Sequence, residues 1–219
     1  MQPISRSEIL PLGEYELVRP HFRARIIQEK RRRRVQVGEH ATVLFENRDT
    51  VLLQIQEMLR TERISSESAV VHELETYNDL IPDAGELSFT LFIEIPDRDL
   101  RERTLVELAG LEQAVRLEVD GGMLPAVQEL PAGHRADRTT AVHYFKVNLS
   151  AAAVAAVRAG RSGAAIVIAY PLMKRLSSVD EIIAHYNEIG LERATVVAAV
   201  AIGAAGQRHR GLHLHAVQW

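Results

Sequence analysis

Leu87-Ser88-Phe89-Thr90-Leu91-Phe92-Ile93-Glu94-Ile95 decides the fold class, because five apolar residues occupy every second position of the stretch. Successive side chains of a strand point to opposite faces, so this period of two predicts a strand with Leu87, Phe89, Leu91, Ile93 and Ile95 on its core side. Pro96-Asp97 then ends the strand and caps a helix through Leu100, Leu105 and Leu108 to Gly110. Farther on, Ala114 to Val119 and Met123 to Gln128 flank Asp120-Gly121-Gly122, a hairpin signal. Thr140 to Leu149 reads as another strand, Ser150 caps an Ala-rich helix closing at Gly160, and Ala164 to Tyr170 reads as a buried strand. Residues 87 to 170 therefore run strand, helix, hairpin, strand, helix, strand, close to a split βαβ plan. The class this predicts is α+β, with a mixed or antiparallel sheet and helices packed on one face.

On the N-terminal side the periodicity changes. Ser5 and Glu8 have capping-box spacing for a short helix, and Pro20 stands where the first residue of a second helix would be. Val35 to Val37 and Ala41 to Glu46 form two short β-type runs across Gly38-Glu39-His40, a hairpin pattern. From Arg48 to Arg63 the period becomes helical, with Val51, Leu52, Ile55, Met58 and Leu59 on one side. Ser65 or Ser66 caps a following helix whose core face is Val70, Leu74, Tyr77 and Ile81, stopped by Pro82. Beyond Pro171 the character shifts to a capped helix, an Ala/Val run and a His-rich end. That suggests a main domain over 1–170 and a helical appendage or tail over 171–219.

Composition bounds the chemistry. The chain has 219 residues, no cysteine, 47% hydrophobic residues and a net charge of −3. It is long enough to bury a core without disulfides or metal. Lack of cysteine excludes a cysteine nucleophile, a Cys-type zinc or iron–sulfur ligand set and a CxxC pair. The near-neutral charge offers no global reason to expect nucleic acid or a membrane. The twelve-residue apolar run Ala194 to Ala205 is too short for a bilayer of roughly 30 Å. No secretory signal pattern opens the chain, so a cytoplasmic location is expected.

Within the helix after Arg48, an advance of 100° per residue gathers Thr50, Gln54, Glu57 and Thr61 into a polar stripe with apolar borders. A carboxylate sheltered there needs a partner, a proton or a metal. The next helix offers His72 and Glu73, so Glu57, His72 and Glu73 form a candidate ligand set for iron, manganese or zinc. The competing and preferred reading is that Glu57 bonds a backbone or Arg partner, because di-metal bundles repeat Glu-x-x-His on two helices and this chain does not. Arg31, Arg32, Arg33 and Arg34 form a candidate anion site. Missing interleaved aromatics favour a solvated helix end over RNA binding. His209, His213 and His215 have weak metal-ligand spacing. Phosphate-loop, dinucleotide, nucleophile-elbow and zincin motifs are absent; His72-Glu73-Leu74-Glu75-Thr76 lacks the second His of the last.

The segment Phe45 to Arg63, F-E-N-R-D-T-V-L-L-Q-I-Q-E-M-L-R-T-E-R, resembles the bacterial domain-of-unknown-function 3501 family. Arg19-Pro20-His21-Phe22-Arg23, His72-Glu73-Leu74 with Tyr77-Asn78, and Gly85-Glu86-Leu87-Ser88 leading to Ile93-Glu94-Ile95-Pro96 agree in order. The resemblance covers about residues 1 to 170. It implies an accessory role in peroxide or electron-transfer metabolism, since genes of the family often lie beside those for rubrerythrin and an iron–sulfur oxidoreductase. From the residues and the resemblance together, the expected function is a non-enzymatic binding partner of such a redox protein. A metal-dependent enzyme centred on Glu57 is the alternative.

Overall fold

The structure is a computed structural model that describes residues 1–37, 40–119, 122–129, 137–159, 164–168 and 196–198. Its described helices are α1 (Leu12–Arg33), α2 (Arg48–Thr61), α3 (Glu67–Asn78), α4 (Arg98–Glu107) and α5 (Ala151–Arg158). Its described strands are β1 (Arg34–Val37), β2 (Ala41–Phe45), β3 (Glu86–Ile93), β4 (Val115–Val119), β5 (Gly122–Pro125), β6 (Val127–Glu129), β7 (Val142–Asn148), β8 (Ala164–Ile168) and β9 (Val196–Ala198). The chain is an α+β protein, and every pairing among these strands is antiparallel.

The strands form two sheets where the sequence pattern predicts one: a five-stranded sheet in the order β1-β2-β3-β7-β6 and a four-stranded sheet in the order β5-β4-β8-β9. What divides them is Ala126. The stretch 122–129 begins as β5 beside β4, turns inward at the buried Ala126, whose N–H donates to the Val115 carbonyl at 3.1 Å, and continues as β6 beside β7. Pro125 has no N–H to continue a ladder, so the break falls beside it.

Strand β3 lies at the centre of the larger sheet, and its alternation works as the pattern predicts. Leu87, Phe89, Leu91 and Ile93 join Val43 and Phe45 of β2, Phe145 and Val147 of β7, Leu117 of β4 and Leu105 of α4 in one apolar core. The opposite face of β3 is buried too, with Ser88 and Thr90 each 1% exposed. There the helical layer adds a second core from Ile4, Val51, Ile55, Leu59, Val70, Leu74, Tyr77 and Ile81, with Tyr144 of β7 packed against it. Of the helix core faces expected from the spacing, Val51, Ile55, Leu59, Val70, Leu74, Tyr77, Ile81, Leu105 and Leu108 are buried, while Leu52 and Met58 are half-buried, Leu53 is buried beside them and Leu100 is exposed.

The helical layer owes its shape to two local features. Pro20 does not start a helix; it lies inside α1, which is continuous over 22 residues. Contacts on both sides of the proline hold the helix together, since Tyr15 is buried before it and Ile26 after it. The proline ring occupies the exposed flank, where the lost amide donor costs least. Helix α2 begins at Asn47, whose side chain accepts from the Thr50 N–H at 2.9 Å while its own N–H donates to the Thr50 hydroxyl at 2.9 Å. Asn47→Ala removes the acceptor for a helix-end donor, and is expected to lower stability by about 1 to 2 kcal/mol in urea unfolding. An unchanged midpoint contradicts the cap.

The tail His209, His213 and His215 lies outside the described residues, as does the capped helix expected after Pro171. No helix among the described residues is long and apolar enough to cross a membrane.

Candidate functional site

The sheltered carboxylate singled out by the polar stripe points at α1. Glu57 Oε1 accepts from the Tyr15 hydroxyl at 2.7 Å and from Arg19 Nε at 2.7 Å, and Oε2 accepts from Arg19 Nη2 at 2.9 Å. Arg60 Nε stands 3.6 Å from Oε2. The two-pronged guanidinium contact is the strong form of the carboxylate pair. Its hydrogen bonds hold the Glu57 carboxyl down to about 2, against the upward push of burial and with help from Tyr15. Burial, followed by the Glu57 bond, pushes the Tyr15 phenol well above its usual value. Both groups keep their ordinary charge states at neutral pH, so the cluster braces α1 onto α2 and offers no mobile proton, and the Glu57 charge is already neutralised by Arg19.

This geometry does not bring the candidate ligand set together, and it matches the preferred reading that Glu57 bonds an Arg partner. Glu57 is spent on α1, His72 is exposed on α3, and Glu73 is half-buried near Tyr77. Among the described residues no three His, Asp or Glu side chains are grouped to hold a metal ion. Physically, a carboxylate that already neutralises a bidentate guanidinium would have to surrender that pair to a metal.

Nor do Arg31, Arg32, Arg33 and Arg34 converge on one anion. Successive helical side chains diverge by about 100°, and the group is divided among internal carboxylates. Arg32 and Arg33 bond Glu29 at 2.5 and 2.6 Å. Arg34 bonds Glu94, donates to the Thr42 hydroxyl at 2.9 Å, and lies 5.1 Å from the Phe92 ring centroid. Arg31 is exposed.

The outward face of α1 went unmarked by the sequence pattern. The helix buries only Tyr15 and Ile26, although at 1.5 Å per residue it is about 33 Å long. With Tyr15, Arg19, Phe22 and Ile26 turned inward, the opposite side presents Leu17, His21, Ala24, Gln28, Arg31 and Arg32. Leu17 is 81% exposed and its neighbour Val18 44%. Residues 12 to 34 contain eight basic and three acidic side chains in a chain of net charge −3. The helix is therefore the positive element of an acidic protein, with an apolar spot near its N-terminal end. The i, i+4, i+7, i+11 spacing of Tyr15, Arg19, Phe22 and Ile26 carried this signal, but reading Pro20 as a boundary split it.

Comparison with known proteins agrees with this architecture. A crystal structure of a protein of unknown function from Burkholderia pseudomallei is 35% identical in sequence and superposes with a TM-score of 0.71. The similarity covers 78% of this chain and 89% of that one. No curated protein matches. The family model described as "Protein of unknown function (DUF3501)" matches residues 3–188, reaching past Pro171, where the resemblance in the sequence was expected to end. The chain belongs to the DUF3501 family.

Proposed function

We propose that this protein is a docking component that receives an acidic redox protein, of the rubrerythrin or iron–sulfur oxidoreductase kind, on the outward face of α1. The observation that carries the reading is Leu17 at 81% exposure on a helix with four more basic than acidic residues. A large apolar side chain left in water beside cations matches a partner with an apolar pocket rimmed by carboxylates. The redox character of the partner rests on the gene neighbourhood that the family resemblance implies. The brace at Glu57 supports the same reading, because it fixes α1 firmly while leaving the outward face unused.

The test is calorimetric titration of the full chain with the rubrerythrin-like and iron–sulfur proteins of the same organism. Binding to one of them is expected, weakening as salt shortens the screening length. The Leu17→Asp/Arg31→Glu double variant should lose on the order of 100-fold in affinity, since it removes the apolar anchor and reverses a facing charge. Its unfolding midpoint should stay within error of the parent chain. Binding to neither protein, or equal affinity of the double variant, overturns the proposal.

A further inference from the structure

Away from α1, between α4 and the segment leading into β7, lies a cleft of about 330 Å³ whose walls include Arg101, Glu102, Leu105, Arg138, Thr139 and Ala141. Several bonds build it. The Thr139 N–H donates to the Leu105 carbonyl at 2.9 Å, Arg101 Nη1 to the Ile95 carbonyl at 3.0 Å, and Arg138 Nη1 to Glu102 Oε2 at 2.6 Å. Thr140, also on the wall, donates its hydroxyl to the Val142 carbonyl at 2.8 Å.

Behind Thr139 is His143, 2% exposed. Its Nε2 is 2.9 Å from the Thr140 carbonyl and 3.0 Å from the Thr139 hydroxyl, while Nδ1 is buried without a partner. A carbonyl only accepts, so Nε2 carries the hydrogen and the tautomer is fixed by that bond. Burial keeps the ring in its neutral form, leaving Nδ1 as a bare lone pair. Nε2–H is then shared with the Thr139 oxygen, which acts as an acceptor. Thr139, only 5% exposed, keeps its own hydroxyl hydrogen uncommitted.

The donors of this wall not used in the bonds above are N–H groups of Arg101 and Arg138 and the Thr139 O–H, with Glu102 Oε1 as an acceptor beside them. Its one carboxylate, Glu102, already lies on Arg138. Two guanidiniums and one carboxylate leave a single net positive charge, which suits a monoanion. Leu105 and Ala141 supply apolar wall for a short hydrocarbon tail. The volume is at the small end of ligand sites, which run from about 300 to 1,000 Å³. We infer that this cleft binds a small organic monocarboxylate, whose head group takes the Arg138 fork that Glu102 occupies as an internal competitor.

Amide shifts of the full chain, titrated with butyrate, butyramide and inorganic phosphate at constant ionic strength, test this. Butyrate should shift Leu105, Thr139 and Ala141 saturably, while butyramide, isosteric but neutral, should not. Arg138→Gln is expected to weaken butyrate by about tenfold, the loss of one charge-assisted bond. Glu102→Gln should strengthen it several-fold, an increase that a merely structural role for Glu102 does not produce. Thr139→Val, which removes the hydroxyl but keeps the shape, should weaken it and provides a second reading if Arg138→Gln unfolds. Absent butyrate binding, equal binding of butyramide, tighter binding of phosphate, or affinity unchanged in both Glu102→Gln and Thr139→Val overturns the inference.

Discussion

Phe89→Ala is expected to destabilise the protein by about 4 kcal/mol, within the range for deleting a large aromatic from a packed core. Phe89 is 1% exposed in the central strand β3, with the ring of Phe45 at 5.7 Å on one side and that of Phe145 at 5.4 Å on the other. These three rings come from three adjacent strands, so the substitution opens a hole spanning the middle of the larger sheet. Rigid backbones on both sides limit collapse into that hole, and the cavity contribution adds to the lost transfer free energy. Urea unfolding should show the loss as a lower midpoint with nearly unchanged slope. A cost under about 1 kcal/mol would mean that the three rings do not share one core.

The same strand shows why much of this fold is legible without coordinates. A period of two in β3 and periods near 3.6 in α2 and α3 are written by burial, and burial depends on the residue's own side chain. Asp97 and Ser150 are equally readable, each accepting from the N–H three residues later. Ala126 is another matter. Pro125 marks a break within Met123 to Gln128, but not that the chain changes sheets there, because that choice rests on which neighbour, Val115 or Lys146, offers ladder partners. The partition into two sheets is a property of pairs distant in sequence.

The candidate site divides in the same way. The polar stripe located Glu57 correctly as a sheltered carboxylate, since sheltering follows from the apolar borders of its own helix. Its partner could not be read locally: Arg19 is 38 residues away, on the far side of the β1–β2 hairpin. A proline that usually marks a helix start concealed the continuity of α1, and with it the inward row Tyr15, Arg19, Phe22 and Ile26. The cleft beside α4 depends on a similarly long separation, as Arg138 meets Glu102, 36 residues away, only when the segment leading into β7 is placed against α4.

Glu57→Ala is the substitution that separates the brace from the docking face. At neutral pH it leaves the Arg19 guanidinium and the Tyr15 hydroxyl without their shared acceptor. Removing one member of a fully buried pair typically costs about 3 to 5 kcal/mol. The Glu57 side chain is 25% exposed and water can reach the groups left behind, so a loss of about 2 kcal/mol is expected instead. The sign of its pH dependence follows from a carboxyl lowered to about 2 in the folded protein, against roughly 4.3 in an unfolded chain. A depressed carboxyl stabilises the fold fully above the unfolded value, and that contribution disappears as pH falls towards the folded one. The difference between parent and Glu57→Ala in denaturant unfolding should therefore be largest at neutral pH, shrink below about pH 4 and nearly vanish at pH 2. A difference that persists unchanged into acid contradicts an ionised brace. Leu17→Asp, by contrast, should change stability by no more than about 0.5 kcal/mol across this pH range, the cost of a weaker helix former, because Leu17 contacts water and Glu57 holds the helix beneath it.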